Sequence, residues 1–255
     1  MSKRNTPQRR HAILALLNEQ GEVVVDALAQ HFATSEVTIR KDLAELEKNG
    51  LLLRRYGGAV PMPQELIGEP AQPISRHKQA IARAAVDLIR EHARIIIDSG
   101  STTAAMIPQL GHKPGLVVMT NSLNVASALR DIEHEPVLLM TGGTWDPHSE
   151  SFQGQVAEQV LRSYDFDQLF IGADGIDLER GTTTFNELLG LSRVMAEVAR
   201  EVIVMVESDK VGRRIPNLEL PWSSVHTLIT DDRLDSQVAE QIRARGVQLI
   251  LAAAS

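Results

Sequence analysis

The 255-residue sequence has no cysteine, which excludes disulfide bridges and thiolate metal sites. Its eight histidines are scattered without a His-x-x-x-His pair, so the helical spacing of zinc ligands is missing too. His148, in Trp-Asp-Pro-His-Ser, reads as a surface-loop residue or a pocket lining, and no metal or other cofactor is expected. No apolar run approaches the ~20 residues of a membrane span. The basic start leads into a short, broken apolar stretch without a small-residue cleavage site, so a cytoplasmic chain away from membranes is the default expectation. No internal repeat or low-complexity tract is visible.

What is present is an ordinary globular composition, 43% hydrophobic, in a length that suits a small domain joined to a medium one. The net charge of −7 is unevenly spread. Residues 1–60 carry nine Lys and Arg against seven acids, whereas the remainder carries 17 against 26. A mildly basic head on an acidic body suits a DNA reader attached to a separate ligand domain. Four prolines (Pro61, Pro63, Pro70, Pro73) fall between Gly57 and Ser75 in a stretch without helical or strand period. The organisation expected is a head over 1–60, a semi-rigid linker over 61–74 and a body over 75–255.

In the head the pattern predicts three helices and a hairpin. The first runs from about Thr6 to Gln20 with Ile13, Leu14 and Leu17 inward, and the second from Val25 to Phe32. After a short Ala-Thr turn, Ser35 is a natural N-cap for the third. There Ile39, Leu43 and Leu46 form the apolar face, flanked by Val37, and Glu36, Thr38, Arg40 and Lys41 point outward. That face is either plainly solvated or placed for a DNA groove: Arg40 can fork onto guanine, and Thr38 can donate to a base or pack on a thymine methyl. Two extended arms around Arg54, Arg55 and Tyr56 would form a wing on the phosphate backbone.

The run Ser35, Thr38, Ile39, Arg40, Lys41, Asp42, Leu43, Leu46, Gly50, Arg54, Tyr56, Gly57 and Gly58 closely resembles the winged helix-turn-helix of the DeoR family of bacterial repressors. The resemblance implies that Ser35, Thr38, Arg40, Lys41, Arg54, Arg55 and Tyr56 meet double-stranded operator DNA. Val24 stands where many relatives carry a polar residue, which weakens the cap of the second helix.

From Ser75 onward, helix-like segments separate the apolar runs 93–98, 115–120, 136–141, 167–172, 200–206, 227–230 and 247–252. This pattern predicts an α/β body with a mostly parallel sheet covered on both faces, whose ligand gathers at the carboxyl ends of the strands. Donor-rich loops fall at those ends: Asp98-Ser99-Gly100-Ser101-Thr102-Thr103, then Thr120-Asn121-Ser122, Gly142-Gly143, Asp174, Asn186-Glu187 and Lys210. The first can be a capped strand–helix turn or an anion cradle formed by free helix-start amides. It is not a Walker loop, because no Gly-Lys-Ser/Thr follows. Together the loops suggest a pocket for a polyhydroxylated phosphorylated molecule, with Lys210 on the phosphate and Asp98, Asp174 or Glu187 on hydroxyls.

These segments also resemble the DeoR effector domain, which is related to ribose-5-phosphate isomerases and glucosamine-6-phosphate deaminases. The resemblance implies a homodimeric or homotetrameric repressor released by a sugar phosphate. The 176–181 stretch, Asn186-Glu187 and 151–159 look most like amino-sugar and hexitol regulators, hence glucosamine 6-phosphate as the leading effector. The rival reading is a sugar-phosphate isomerase, since Gly172 to Asp177 is similar to an isomerase aspartate motif. The carboxylate base that chemistry needs would fall near Ser192. A serine without an adjacent base cannot abstract a carbon-bound proton at neutral pH, so no catalytic residue is expected.

Overall fold

The computed structural model describes residues 6–48, 51–55, 57–61, 74–147, 149–185, 189–213 and 215–254. Two compact units divide the chain, Met1–Gln72 and Pro73–Ser255. The proline-rich stretch over 62–73 lies outside the described residues.

In the first unit, α1 (Thr6–Gln20) and β1 (Val23–Val24) precede α2 (Val25–His31), α3 (Glu36–Lys48), β2 (Leu52–Arg55) and β3 (Gly58–Pro61). Ile13 and Leu17 of α1, Leu28 of α2 and Ile39, Leu43 and Leu46 of α3 share one core. The strands form an antiparallel sheet in the order β1-β3-β2, so the wing has a third strand that the two-arm reading missed. Gly58 permits it: a Cβ there would stand 2.2 Å from the Val23 carbonyl oxygen. Val24 makes no side-chain cap on α2, but the Gly57 carbonyl accepts from Val25 N at 2.8 Å. The wing's backbone thus takes up the first of the free amides at the helix start, while a polar cap would have met the second or third.

The second unit opens with α4 (Arg76–Asp87), capped by Ser75. It is built on a seven-stranded parallel sheet of β4 (Arg94–Ile97), β5 (Val117–Thr120), β6 (Val137–Met140), β9 (Phe166–Ile171), β12 (Ala199–Met205), β14 (Thr227–Asp231) and β15 (Gln248–Ala252). These correspond to the seven apolar runs. The spatial order is β15-β14-β12-β9-β4-β5-β6, so the chain winds outward from β4 to β6 and then returns to lay β9 on β4's other side. Side chains alternate across the layer. Ile95 and Ile97 face a core shared with α4, α6 (Ile107–Leu110) and α7 (Leu123–Leu129). Ile96 faces the opposite core, with α8 (Gln155–Leu161), α9 (Gly190–Glu197) and α10 (Ser236–Arg243). Burial on both faces is what near-continuous apolar strands require.

Two small antiparallel additions were not predicted. A hairpin pairs β7 (Thr144–Asp146) with β8 (Ser151–Gln153), and a second sheet runs β10 (Gly175–Asp177), β11 (Gly181–Thr184) and β13 (Asn217–Pro221). Among the described residues no helix is long and apolar enough to cross a membrane.

Candidate functional site

On α3, Ser35 takes the expected capping place. Its Oγ accepts from Thr38 N at 3.2 Å and lies 2.9 Å from Thr38 Oγ1. The Thr38 hydroxyl is thereby engaged in the cap of its own helix. Val37 departs from its expected place beside the core: it is 60% exposed and joins the outward residues. Arg40 is exposed and bonded to Glu36 Oε2 at 2.6 Å, one helical turn back, and Lys41 is exposed beside it. Asp42 is buried between two arginines of α1, Arg9 Nε at 2.5 Å and Arg10 Nε at 2.9 Å, so it holds α3 against α1.

In the wing, Arg54 donates to Glu47 Oε2 at 2.7 Å, and its amide donates to Glu47 Oε1 at 2.9 Å. Arg55 pairs with Glu22. Both wing arginines therefore rest on acids. Tyr56 lies outside the described residues.

In the second unit the winding direction changes between β4 and β9. In open parallel sheets the crevice at such a reversal is where ligands bind. The loop after β4 begins with Asp98, and the loop after β9 contains Asp174. Asn121, at the end of β5, braces the first loop: its Nδ2 donates to Asp98 Oδ1 at 2.9 Å and its Oδ1 accepts from Ser99 N at 3.1 Å. Asp174 accepts from Thr184 Oγ1 at 2.7 Å and Phe185 N at 3.1 Å. Lys210, in the turn after β12, donates to the Ala173 carbonyl at 3.3 Å, next to Asp174. Four predicted loops thus converge here, those of Asp98, Asn121, Asp174 and Lys210.

Several predicted ligand residues are instead internal struts. Thr103 is fully buried, and its hydroxyl lies 2.9 Å from the carbonyls of both Asp98 and Gly100. Thr120 Oγ1 accepts from Ser122 N, while Ser122 Oγ caps α7 by accepting from Val125 N. Thr102, Thr120, Asn121 and Ser122 are all buried. Of the first loop, Ser99 is half-buried, and Gly100 and Ser101 are exposed. Gly100 has φ 142°, open to glycine but strained for other residues. The helix that follows, α5 (Ser101–Ala104), has only four residues, so its dipole is far weaker than the anion cradle anticipated. Gly142 and Gly143 lie beyond β6, and Gly143 stands against the Gln153 backbone of β8. Asn186, Glu187 and His148 lie outside the described residues.

The main omission was Glu219, on β13. It is 8% exposed and accepts from Ser192 Oγ at 2.8 Å and Thr182 Oγ1 at 3.3 Å. Burial pushes its carboxyl up to about 8, and the charges of Asp98 and Asp174 add to the rise. Burial likewise pushes Asp98 up to about 6, against the opposing bond from Asn121. Three carboxylates therefore share one electrostatic neighbourhood. A carboxylate does adjoin Ser192, because Glu219 is bonded to it directly. Its extended segment, with leucines on both sides of the acid, was the available signal.

The isomerase-like stretch fares differently. Burial alone would raise Asp177, but the Arg180 guanidinium and the amides of Glu179 and Arg180 hold it below the usual carboxylate range. Elsewhere, His77, Asp231 and Asp232 bring possible ligand atoms within 4.8 Å of one another. Both Asp231 oxygens are already bonded by Ser208 and Arg233, which makes a poor cation site.

Residues 9–65 match the DeoR-like helix-turn-helix domain and residues 74–232 the DeoR C terminal sensor domain. The chain belongs to the DeoR family. The putative aga operon transcriptional repressor of Escherichia coli O157:H7 is 40% identical over 253 residues, covering 96% of this chain and 94% of that protein. The HTH-type transcriptional regulator GlpR of Haloferax volcanii is 31% identical, covering 95% and 96%. Among solved structures, ribose 5-phosphate isomerase A of Methanocaldococcus jannaschii shares 20% identity over 52% of this chain and 53% of that one, with a TM-score of 0.38. That likeness is too loose to transfer chemistry. Both relatives match nearly the whole of this chain, across its helix-turn-helix domain and its sensor domain.

Proposed function

We propose that this DeoR-family regulator is a cytoplasmic repressor of a carbohydrate operon that leaves its operator when an amino-sugar phosphate such as glucosamine 6-phosphate binds the sensor. The observation that carries the reading is the carboxylate group Asp98, Asp174 and Glu219 at the sheet's reversal point, with Lys210 on the neighbouring loop. The raised carboxyls of Asp98 and Glu219, crowded by Asp174, are relieved by a ligand that brings its own ammonium, and a lysine on the same rim suits its phosphate. Arg40, Lys41, Thr38 and Val37 would read bases, with Ser35, Arg54, Arg55 and Tyr56 on the backbone. One head offers few contacts, so a homodimer or homotetramer on a repeated or palindromic operator supplies the specificity. A near-complete switch takes about 5.5 kcal/mol of differential ligand binding, within reach of two or more sites.

The Ser192–Glu219 pair gives the enzyme alternative a specific basis. Against it, a carboxyl titrating near 8 is mostly protonated at neutral pH and is a poor base there. Relatives over nearly the full length are also named as a transcriptional repressor and a transcriptional regulator.

A gel shift on the operator with glucosamine 6-phosphate, N-acetylglucosamine 6-phosphate and fructose 6-phosphate tests the reading, with turnover followed in the same tubes. Release by the ammonium-bearing sugar alone is expected. Equal release by all three removes the role given to the carboxylates; turnover of any of them restores the enzyme.

A further inference from the structure

β6 closes one edge of the seven-stranded sheet, and among the described residues no strand lies beyond it. Its four residues, Val137-Leu138-Leu139-Met140, are all apolar; Val137 is 60% exposed and the other three are half-buried. The parallel ladder fixes which backbone groups are left over. Val137 N donates to the Leu116 carbonyl at 2.9 Å and Thr141 N to the Thr120 carbonyl at 3.1 Å, so Val137, Leu139 and Thr141 turn their amides towards β5. With a period of two, the N–H and C=O groups of Leu138 and Met140 point away from the sheet. Monomeric proteins protect such an edge with a charge, a proline or a bulge. Between Val137 and Met140 β6 has none of these.

The segment that satisfies this edge must be extended and must offer two outward residues spaced by one, and β6 itself is such a segment. Three antiparallel registers of two β6 strands bring an outward residue of one against an outward residue of the other. Centred on Leu138, the register sets Met140 against Pro136, which has no N–H to give. Centred on Met140, it sets Leu138 against Gly142, whose φ of 60° takes it out of the strand. Centred on Leu139, it pairs Leu138 of each copy with Met140 of the other, and every outward N–H of the two strands meets a carbonyl. Pro136 and Gly142 thus leave one register.

We infer that a second copy of this chain docks on β6, antiparallel about a two-fold axis at Leu139, so that the two seven-stranded sheets run on as one. The exposed Val137 of each copy then lies opposite Thr141 of the other and is covered. Because the contact is two-fold it closes at two copies, and an open edge is consumed without growing into a fibre. The inference rests on the homo-oligomer reading above and deepens it by locating the axis. The pair carries two heads, as a repeated operator requires.

The chain has no cysteine, so one introduced thiol reports on one position. In the inferred register the two Leu139 Cα atoms form a non-hydrogen-bonded pair about 4.5 Å apart, within disulfide reach. The two Val137 Cα atoms stand roughly 14 Å apart, beyond it. Mild oxidation of full-length Leu139→Cys should therefore give mostly covalent dimer on a non-reducing gel, reversed by dithiothreitol. Val137→Cys, although at the more exposed position, should give at least tenfold less. Met140→Pro removes an outward N–H that β5 does not use, and in sedimentation it should dissociate at least tenfold more readily than wild type. Thermal melts in reductant identify any variant that fails to fold, and the cysteine and proline experiments decide independently of one another. A wild-type chain that sediments as a monomer overturns the oligomer reading and this interface together. The β6 interface alone is overturned if the chain is oligomeric but Met140→Pro associates within twofold of it. The same holds if Val137→Cys, or Ile250→Cys on the opposite edge strand β15, cross-links as readily as Leu139→Cys.

Discussion

The two units handle charge in opposite ways. In the head, cations expected to meet DNA rest on acids at the surface: Arg40 on Glu36, Arg54 on Glu47, Arg55 on Glu22. Exposed pairs of this kind contribute about 0–1 kcal/mol, so exchanging a carboxylate for a phosphate is easy. In the sensor the acids are covered: Asp98 and Glu219 are raised by burial and titrate late. The head thus holds its cations on weak, easily exchanged partners, whereas the sensor holds crowded carboxyls that the ammonium-bearing ligand proposed above would relieve. A reader needs reversible grip; a sensor needs a state that its ligand improves.

The contrast is sharpest at Glu219. Its folded-state carboxyl is raised from the ordinary 4.5 to about 8, so the folded sensor binds a proton that the unfolded chain has lost. Stability from this group is therefore fully present below about pH 4.5 and is lost as pH rises through about 8. Between pH 5 and 8 the loss is on the order of 3 kcal/mol. Glu219→Gln should flatten most of that slope in thermal melts, leaving the smaller slope of Asp98 below pH 7. A melting profile with the same slope in the variant would show that burial is not what controls this acid. In the same pH range an ammonium-bearing effector should bind more tightly as pH rises, and release protons on binding, until its own amine deprotonates.

In the head the reverse experiment is Asp42→Ala. Removing the acid strands Arg9 and Arg10 over a buried position, at roughly 3 kcal/mol, since breaking a covered pair is worse than never having it. Hydrogen exchange should accelerate at the Ile39 and Leu43 amides of α3 and stay unchanged at Ile96 and Leu169 in the sheet. Equal acceleration in both units would dissolve the contrast between them.

How much of this was legible in the sequence follows from the range of the forces involved. Period-3.6 and short apolar runs are local signals, so α3, the wing arms and the seven parallel strands were readable. Val24 before α2 reads as a missing cap because the acceptor that this helix start does have, the Gly57 carbonyl on the Val25 amide, comes from 33 positions further along the chain. Glu219 was missed for a similar reason: an acid in an extended segment looks solvated until Ser192 and the charges of Asp98 and Asp174 are brought to it. Thr103, Asn121 and Ser122 were read as ligand donors from their types, yet their hydrogen bonds are consumed inside the loops they build. Residue type at a strand end locates a site; which polar groups face the ligand depends on contacts 20 or more positions away, such as Asn121 with Asp98.

On the DNA side the separation of roles on α3 and the wing gives smaller effects. Arg40→Ala should weaken operator binding by about 1–3 kcal/mol and relax base preference at one position if Arg40 reads a base as proposed, the size of one bidentate arginine–guanine contact. The Glu36 pair offsets only a few tenths of a kcal/mol of this. Competition binding against singly substituted operators checks it, and wild-type discrimination in the variant removes Arg40 from base reading.

The smallest effect expected is at Arg54. A phosphate contact carries no sequence information, so Arg54→Ala should weaken specific and non-specific duplexes alike, by about 1 kcal/mol or less near physiological salt. The decisive readout is the slope of log affinity against log salt, which should fall by about 0.9 for each phosphate contact removed. Arg55 makes an instructive control because it is more covered, 20% exposed against 44% for Arg54. If its role is to hold the wing to Glu22 and not to touch DNA, Arg55→Ala will lower affinity through a looser wing while keeping the salt slope. Equal slopes lost in both variants would place both arginines on the backbone; an unchanged slope in Arg54→Ala would take the wing off the phosphates and leave α3 as the reader.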